Sequence, residues 1–159
     1  MWDRLLLAID QSASGQAALS LATGLAAGSG AGVVVLHVRE RSPQAKVQPL
    51  ETMSEAWELV DDAAEELGFE GIEACSVVRS AGQHEVAGLI VREAAIWSCS
   101  AIVLGSTRMR GIRRINGGGV RERVIRRSPL PILLAPPALE CRARMPARQA
   151  SHHQSVDHH

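Results

Sequence analysis

Glycines and arginines crowd the stretch from Gly105 to Val120, which runs Gly-Ser-Thr-Arg-Met-Arg-Gly-Ile-Arg-Arg-Ile-Asn-Gly-Gly-Gly-Val. A short apolar run, Ala101-Ile-Val-Leu104, leads into it, and a segment of helical pattern, Val120 to Arg127, follows. A strand, a glycine-rich loop and a helix N-terminus together make an anion site, because unpaired backbone N–H groups and the positive end of the helix dipole meet there. Arg108, Arg110, Arg113, Arg114 and Arg121 lie in or beside the loop, so the chemistry suggested is recognition of a phosphate-bearing ligand. The loop is not of the Walker A type, since no Gly-Lys-Ser/Thr follows the glycines. Glycine at a helix start costs up to ~1 kcal/mol against alanine. Close approach of the backbone to phosphate explains Gly118 and Gly119; a flexible lead into the helix is the plainer alternative.

Other reactive side chains are sparse. Asp10 ends the first apolar run, Leu5–Ile9, and is placed to cap the next helix through the N–H of Ser12 or Ala13. His37 falls inside a strand-like run and reads as a core or sheet-end histidine, while His84 reads as solvated. His152, His153, His158 and His159 form a short tract with weak metal-binding potential, and no metal is assigned to it. No nucleophile elbow, zincin helix or motif-linked Cys–His pair is present, and Ser106 and Thr107 have no evident base, so the chain reads as a binding protein and not an enzyme. Arg121, Arg123, Arg126 and Arg127 could touch nucleic acid, but with one Phe, three Trp and no Tyr there is little for bases to stack on. A solvated helix face is expected instead.

The composition agrees. With 159 residues, 46% of them apolar, and formal net charge zero, the chain suits one domain with its own core, and neither a disordered nor a generally basic protein. Charge is unevenly placed, however: nine acidic residues and no Lys or Arg lie between Lys46 and Arg79, whereas eight arginines face only Glu122 between Gly105 and Arg127. Either these are two solvated faces of opposite sign, or the basic end marks the phosphate site. Cys75, Cys99 and Cys141 are odd in number and contain no Cys-x-x-Cys, which suits reduced thiols in a cytoplasmic protein. No apolar run approaches the ~18 residues that span a bilayer, and the run ending at Asp10 is too short for a signal peptide.

Strand and helix patterns alternate, which predicts an α/β fold with a parallel sheet covered on both faces. Leu5–Ile9 and Val33–Val38 are continuous apolar runs, as strands buried on both sides require. Between them Ala18, Leu21, Ala22 and Leu25 recur with the period of a helix, capped by Ser12 or Ser14 and ended by Gly28 or Gly30. Thr52-Met-Ser-Glu55 reads as a capping box opening a second helix, with Met53, Trp57, Val60, Ala64 and Leu67 inward and Gly68 as its stop. A third strand is predicted at Ile72–Val78. A third helix follows over Gln83–Trp97, with Val86, Ile90, Ala94 and Trp97 facing in. Ala101–Leu104, Val120–Arg127 and Leu130–Ala135 complete five strands and four helices, for which right-handed crossovers favour a doubly wound sheet. The 13 residues from Gly105 to Gly117 are long for a strand-to-helix connection. From Pro137 onward the chain carries Arg142, Arg144, Arg148 and Pro146 without apolar periodicity, so residues 1–136 are expected to form the domain and 137–159 a disordered Arg/His-containing tail.

Gly105, Arg108, Gly118 and Gly119 fall on the spacing Gly-x2-Gly-x9-Gly-Ser/Thr, which marks the universal stress protein family. The flanks Leu5-Leu-Leu-Ala-Ile-Asp10, Val33-Val-Val-Leu-His-Val38 and Val120 to Ala135 also resemble that family, so the likeness covers roughly residues 3 to 136. Two positions depart: Arg108 stands where the second glycine is expected, and Gly119 replaces the Ser or Thr. Arginine dislikes the positive φ a glycine could take. Its guanidinium could pair bidentately with phosphate, or it could fill the loop and block the site.

The resemblance implies an open five-stranded parallel sheet of order 3-2-1-4-5, like that of the adenine-nucleotide α-hydrolases. In that order the first and fourth strands are neighbours and a crevice opens at their C-terminal ends. It further implies an adenine nucleotide there, ATP with ADP or AMP as alternatives and a divalent cation accompanying it. Ala8, Ile9, Asp10 and Val38 would lie at the adenosine end, and Leu104, Gly105, Arg108, Gly118, Gly119 and Val120 at the phosphates. A homodimer through the Leu130–Ala135 edge strand is implied as well. The expected role is a cytoplasmic regulator of stress response, with no nucleic acid or membrane partner. The alternatives are the branch of the family without nucleotide, acting as a dimeric interaction protein, and a slow ATP-hydrolysing enzyme, which fold alone does not establish.

Overall fold

Among the described residues, every strand pairs in parallel with its neighbour, in the order β3-β2-β1-β4-β5. The strands are β1 (Arg4–Ala8), β2 (Gly32–Arg41), β3 (Ala74–Gly82), β4 (Ala101–Gly105) and β5 (Ile132–Ala135). The helices are α1 (Ala13–Ser29), α2 (Met53–Phe69), α3 (Val86–Ile96) and α4 (Val120–Arg127). The structure is a computed structural model and describes residues 2–41, 51–106 and 118–137. Arg108 and the tail from residue 138 lie outside the described residues.

The continuous apolar runs are explained by burial on both faces. Leu5 and Leu7 of β1 point to one side, with Val33 and Val35 of β2, against Ala18, Ala22 and Ala26 of α1 and Val60 and Leu67 of α2. Leu6, Val34, Leu36 and Ile102 point to the other, against Ala87, Ile90 and Ala94 of α3 and Val124 of α4. Two helices therefore cover each face. Cys75 and Cys99 are unbridged, and burial pushes the Cys99 thiol up to about 11, as befits a small apolar filler. Among the described residues no helix is long and apolar enough to cross a membrane.

Local signals set most element ends. Ser12, not Ser14, caps α1, and Gly30 ends it at φ 74°, its N–H donating to the Ala26 carbonyl at 2.8 Å. The capping box of α2 is formed: Glu55 N–H donates to Thr52 Oγ1 at 3.1 Å, and Thr52 N–H to Glu55 Oε2 at 2.6 Å. Gly68 does not stop α2. The helix runs on to Phe69, and Gly71, at φ 74°, makes the turn. Gly71 N–H donates to the Gly68 carbonyl and Ile72 N–H to that of Leu67, both at 3.0 Å, the paired bonds of a Schellman motif. Using Ile72 in that closure moves the start of β3 to Ala74, and β3 then extends to Gly82 because Ser80, Ala81 and Gly82 pair with Arg39, Glu40 and Arg41. The buried stripe of α2 is Ala56, Val60, Ala63 and Leu67, while Met53 and Trp57 are exposed, because small residues let the helix lie close on the sheet.

Candidate functional site

Strand order places the turn from β1 into α1 beside the end of β4, where the connections diverge to opposite faces. The junction is held by two glycines. A Cβ on Gly15 would collide with the Asp10 carbonyl oxygen, and one on Gly105 would collide with the carbonyl and Oγ of Ser14. The end of β4 thus lies directly against the first turn of α1. Asp10 itself organises this turn: Oδ1 accepts the Ser12 N–H at 3.0 Å and also the Ser12 hydroxyl, while Ser12 Oγ accepts the Gly15 N–H.

A cavity of about 340 Å³ opens at this point. Ala8, Ile9, Asp10, Val38, Leu104, Gly105, Gly119 and Val120 line it, so these predicted residues, from four elements and the turns beside them, are brought together. Gly118 is one residue outside the lining; its φ of 82° turns the chain into Gly119, the N-cap of α4. Arg108 lies outside the described residues. The apolar lining also includes Leu36, Val86 and Ile90, suited to a flat ring system, and the N-terminus of α4 contributes to the same cavity, suited to an anion.

Sequence reasoning missed His37, Glu40, Arg121 and Glu122 as lining residues. His37 is buried as expected. Its Nδ1–H donates to the Ile9 carbonyl at 2.8 Å, and Nε2 meets both carboxylate oxygens of Glu51 at 2.9 and 2.8 Å. Arg39 reaches the Glu51 carbonyl at 2.6 Å through Nη2, so Glu51, just before α2, is tied to β2 by two side chains. On α4, Arg121 Nε and Nη2 donate to Glu122 Oε1 at 3.1 and 2.5 Å. The Glu122 carboxyl is held below its ordinary value, first by its own backbone N–H and then by Arg121 and the Gly119 N–H, against an opposing effect of burial. Glutamate three residues after a helix N-cap is the pattern that could have revealed this contact. Among the described residues no cluster of three or more His, Cys, Asp and Glu is arranged to hold a metal ion.

A family model described as the universal stress protein family matches residues 1–136. The fold is similar to a universal stress protein in complex with cAMP, at 19% identity and TM-score 0.67, over 86% of this chain and 98% of that one. It is similar to the universal stress protein from Archaeoglobus fulgidus in complex with dAMP, at 24% identity and TM-score 0.59, over 86% and 98%. It is also similar to a family protein from Arabidopsis thaliana with AMP bound, at 14% identity and TM-score 0.62, over 83% and 90%. The comparison with curated proteins finds no match.

Proposed function

The chain belongs to the universal stress protein family, and we propose that it holds an adenine nucleotide as a regulatory ligand in the crevice between β1 and β4. One observation carries this reading: the same cavity is lined by apolar residues of β1, β2, β4 and α3 and by the N-terminus of α4. The apolar wall suits adenine, with Val38 and Ala8 beside it, and the N–H groups of the first turn of α4 suit phosphate. Related structures with cAMP, dAMP and AMP support the ligand class. The ligand is an adenosine phosphate, ATP, ADP or AMP, with any divalent cation carried in by the phosphates. A binding and not a catalytic role rests on the absence of a recognisable catalytic motif in the sequence. A stress-regulatory role in the cytoplasm rests on family membership.

Calorimetry on the full chain with AMP, ADP and ATP tests the site. At least one of the three is expected to bind, and more weakly as salt rises, because the ligand is an anion meeting a helix dipole. If none of them binds, the crevice reading is wrong and the non-binding branch of the family remains.

A homodimer through β5 is part of the same proposal. β5 is a sheet edge, and Leu134 on it is 40% exposed, whereas Leu133 packs into the α1/α2 core. An exposed apolar edge of this kind calls for a partner. Leu134→Lys is expected to convert a dimer to a monomer in sedimentation without unfolding it. A wild-type chain already monomeric at micromolar concentration would reject the pairing.

A further inference from the structure

The α4 N-terminus, where a ligand's phosphate would be received, already faces a negative charge from the chain itself. Gly119, the N-cap, has no side chain with which to cap the helix. Glu122, three residues on in the first turn of α4, places its carboxylate on the lining of the same cavity. A carboxylate in the first turn of a helix meets the same dipole that would attract a bound anion. The same carboxylate engages Arg121 through both Nε and Nη2, at 3.1 and 2.5 Å, so the guanidinium lining the cavity is largely neutralised by its neighbour. Asp10 and Glu40 add carboxylates elsewhere on the lining. Among the described lining residues, three carboxylates thus stand against one guanidinium.

We infer that Glu122 sets the phosphate preference of the crevice, admitting an adenosine monophosphate and disfavouring a triphosphate. The inference rests on the nucleotide-binding reading above. Each added phosphate brings further negative charge into a crevice that already holds the Glu122 carboxylate at its helix start, so the penalty grows along the series AMP, ADP, ATP. The loop arginines, Arg108 among them, would have to outweigh three carboxylates for ATP to be preferred.

Glu122→Gln is the discriminating variant. Glutamine matches glutamate closely in shape and helix propensity, so α4 keeps its start while the charge is removed. Calorimetry without divalent cation is expected to show wild type binding AMP about tenfold or more tighter than ATP, and the variant gaining about fivefold or more for ATP with AMP changed less. Wild type preferring ATP, or an unchanged ratio in the variant, overturns the inference while leaving nucleotide binding intact. Failure of AMP and ATP to bind either protein overturns the nucleotide reading itself. A nucleotide-free arm then still decides the role of Glu122: inorganic pyrophosphate is expected to raise the Tm of Glu122→Gln and not of wild type, and an equal response in both counts against it.

Discussion

Gly105→Ala is expected to destabilise the protein by about 3 kcal/mol, a fall in Tm of roughly 10 °C. One methyl group is enough because of where it points. The added Cβ would overlap the Ser14 carbonyl and hydroxyl, in the first turn of α1. Backbone in that turn cannot yield cheaply. Ser12 caps it, Asp10 holds Ser12, and Gly15 is pressed against the Asp10 carbonyl. Nor can β4 move, since it is paired with β1 on one side and β5 on the other. Gly24→Ala is the control: it lies within α1 with open space where its Cβ would go, so it is expected to be neutral or stabilising by up to ~1 kcal/mol. Thermal denaturation followed by circular dichroism measures both. Equal melting temperatures for Gly105→Ala and wild type would mean that α1 and β4 are not docked in this way.

Gly118→Val is expected to reduce nucleotide affinity by at least about 100-fold while costing only ~1–2 kcal/mol of stability. The residue has φ 82°, in the left-handed region, where a β-branched side chain is strongly disfavoured. A Cβ there would also lie 3.1 Å from Cβ of Glu122. Relief requires the chain entering α4 to rotate, and this displaces the Gly119 and Val120 backbone that lines the crevice. The stability cost is modest because α4 is short and has a single buried residue, Val124. Calorimetry and melting curves on the same sample separate the two effects. Affinity retained within about threefold, with the fold intact, would show that phosphate binding does not depend on this turn.

The residues around Gly105 and Gly118 also mark where reading the chain alone succeeds and fails. Both glycines stand out in sequence as a loop for phosphate. In the fold their demands are different: Gly105 must lack a side chain because α1 crosses it, and Gly118 must turn with positive φ. Helix α2 gives a second case. Met53, Trp57, Val60, Ala64 and Leu67 make a plausible apolar stripe, yet the face that packs is Ala56, Val60, Ala63 and Leu67. Size suggested the first set, and closeness to the sheet selected the second.

The nine elements of the described residues, their order along the chain and the capping box of α2 are determined by the sequence itself, since apolar periodicity and the Thr52–Glu55 pair act over a few residues. The choice of Ser12 over Ser14 and Gly30 over Gly28, and the turn at Gly71 after Gly68, are decided by the fold. The motif spacing and flanks identify the family, and with it the sheet order and Ala8, Ile9, Asp10, Val38, Leu104, Gly105, Gly119 and Val120 as cavity-lining residues, but not Gly118, which lies outside the lining. Tertiary structure alone decides that the His37 ring joins Ile9 to Glu51, that Gly15 and Gly105 interlock β1, α1 and β4, and that Arg121, Glu40 and Glu122 share one cavity with Asp10. The reason is physical. Periodicity records which face of an element is buried, whereas the charge balance of a crevice depends on side chains from elements far apart in sequence, which only the packed sheet brings into one another's field.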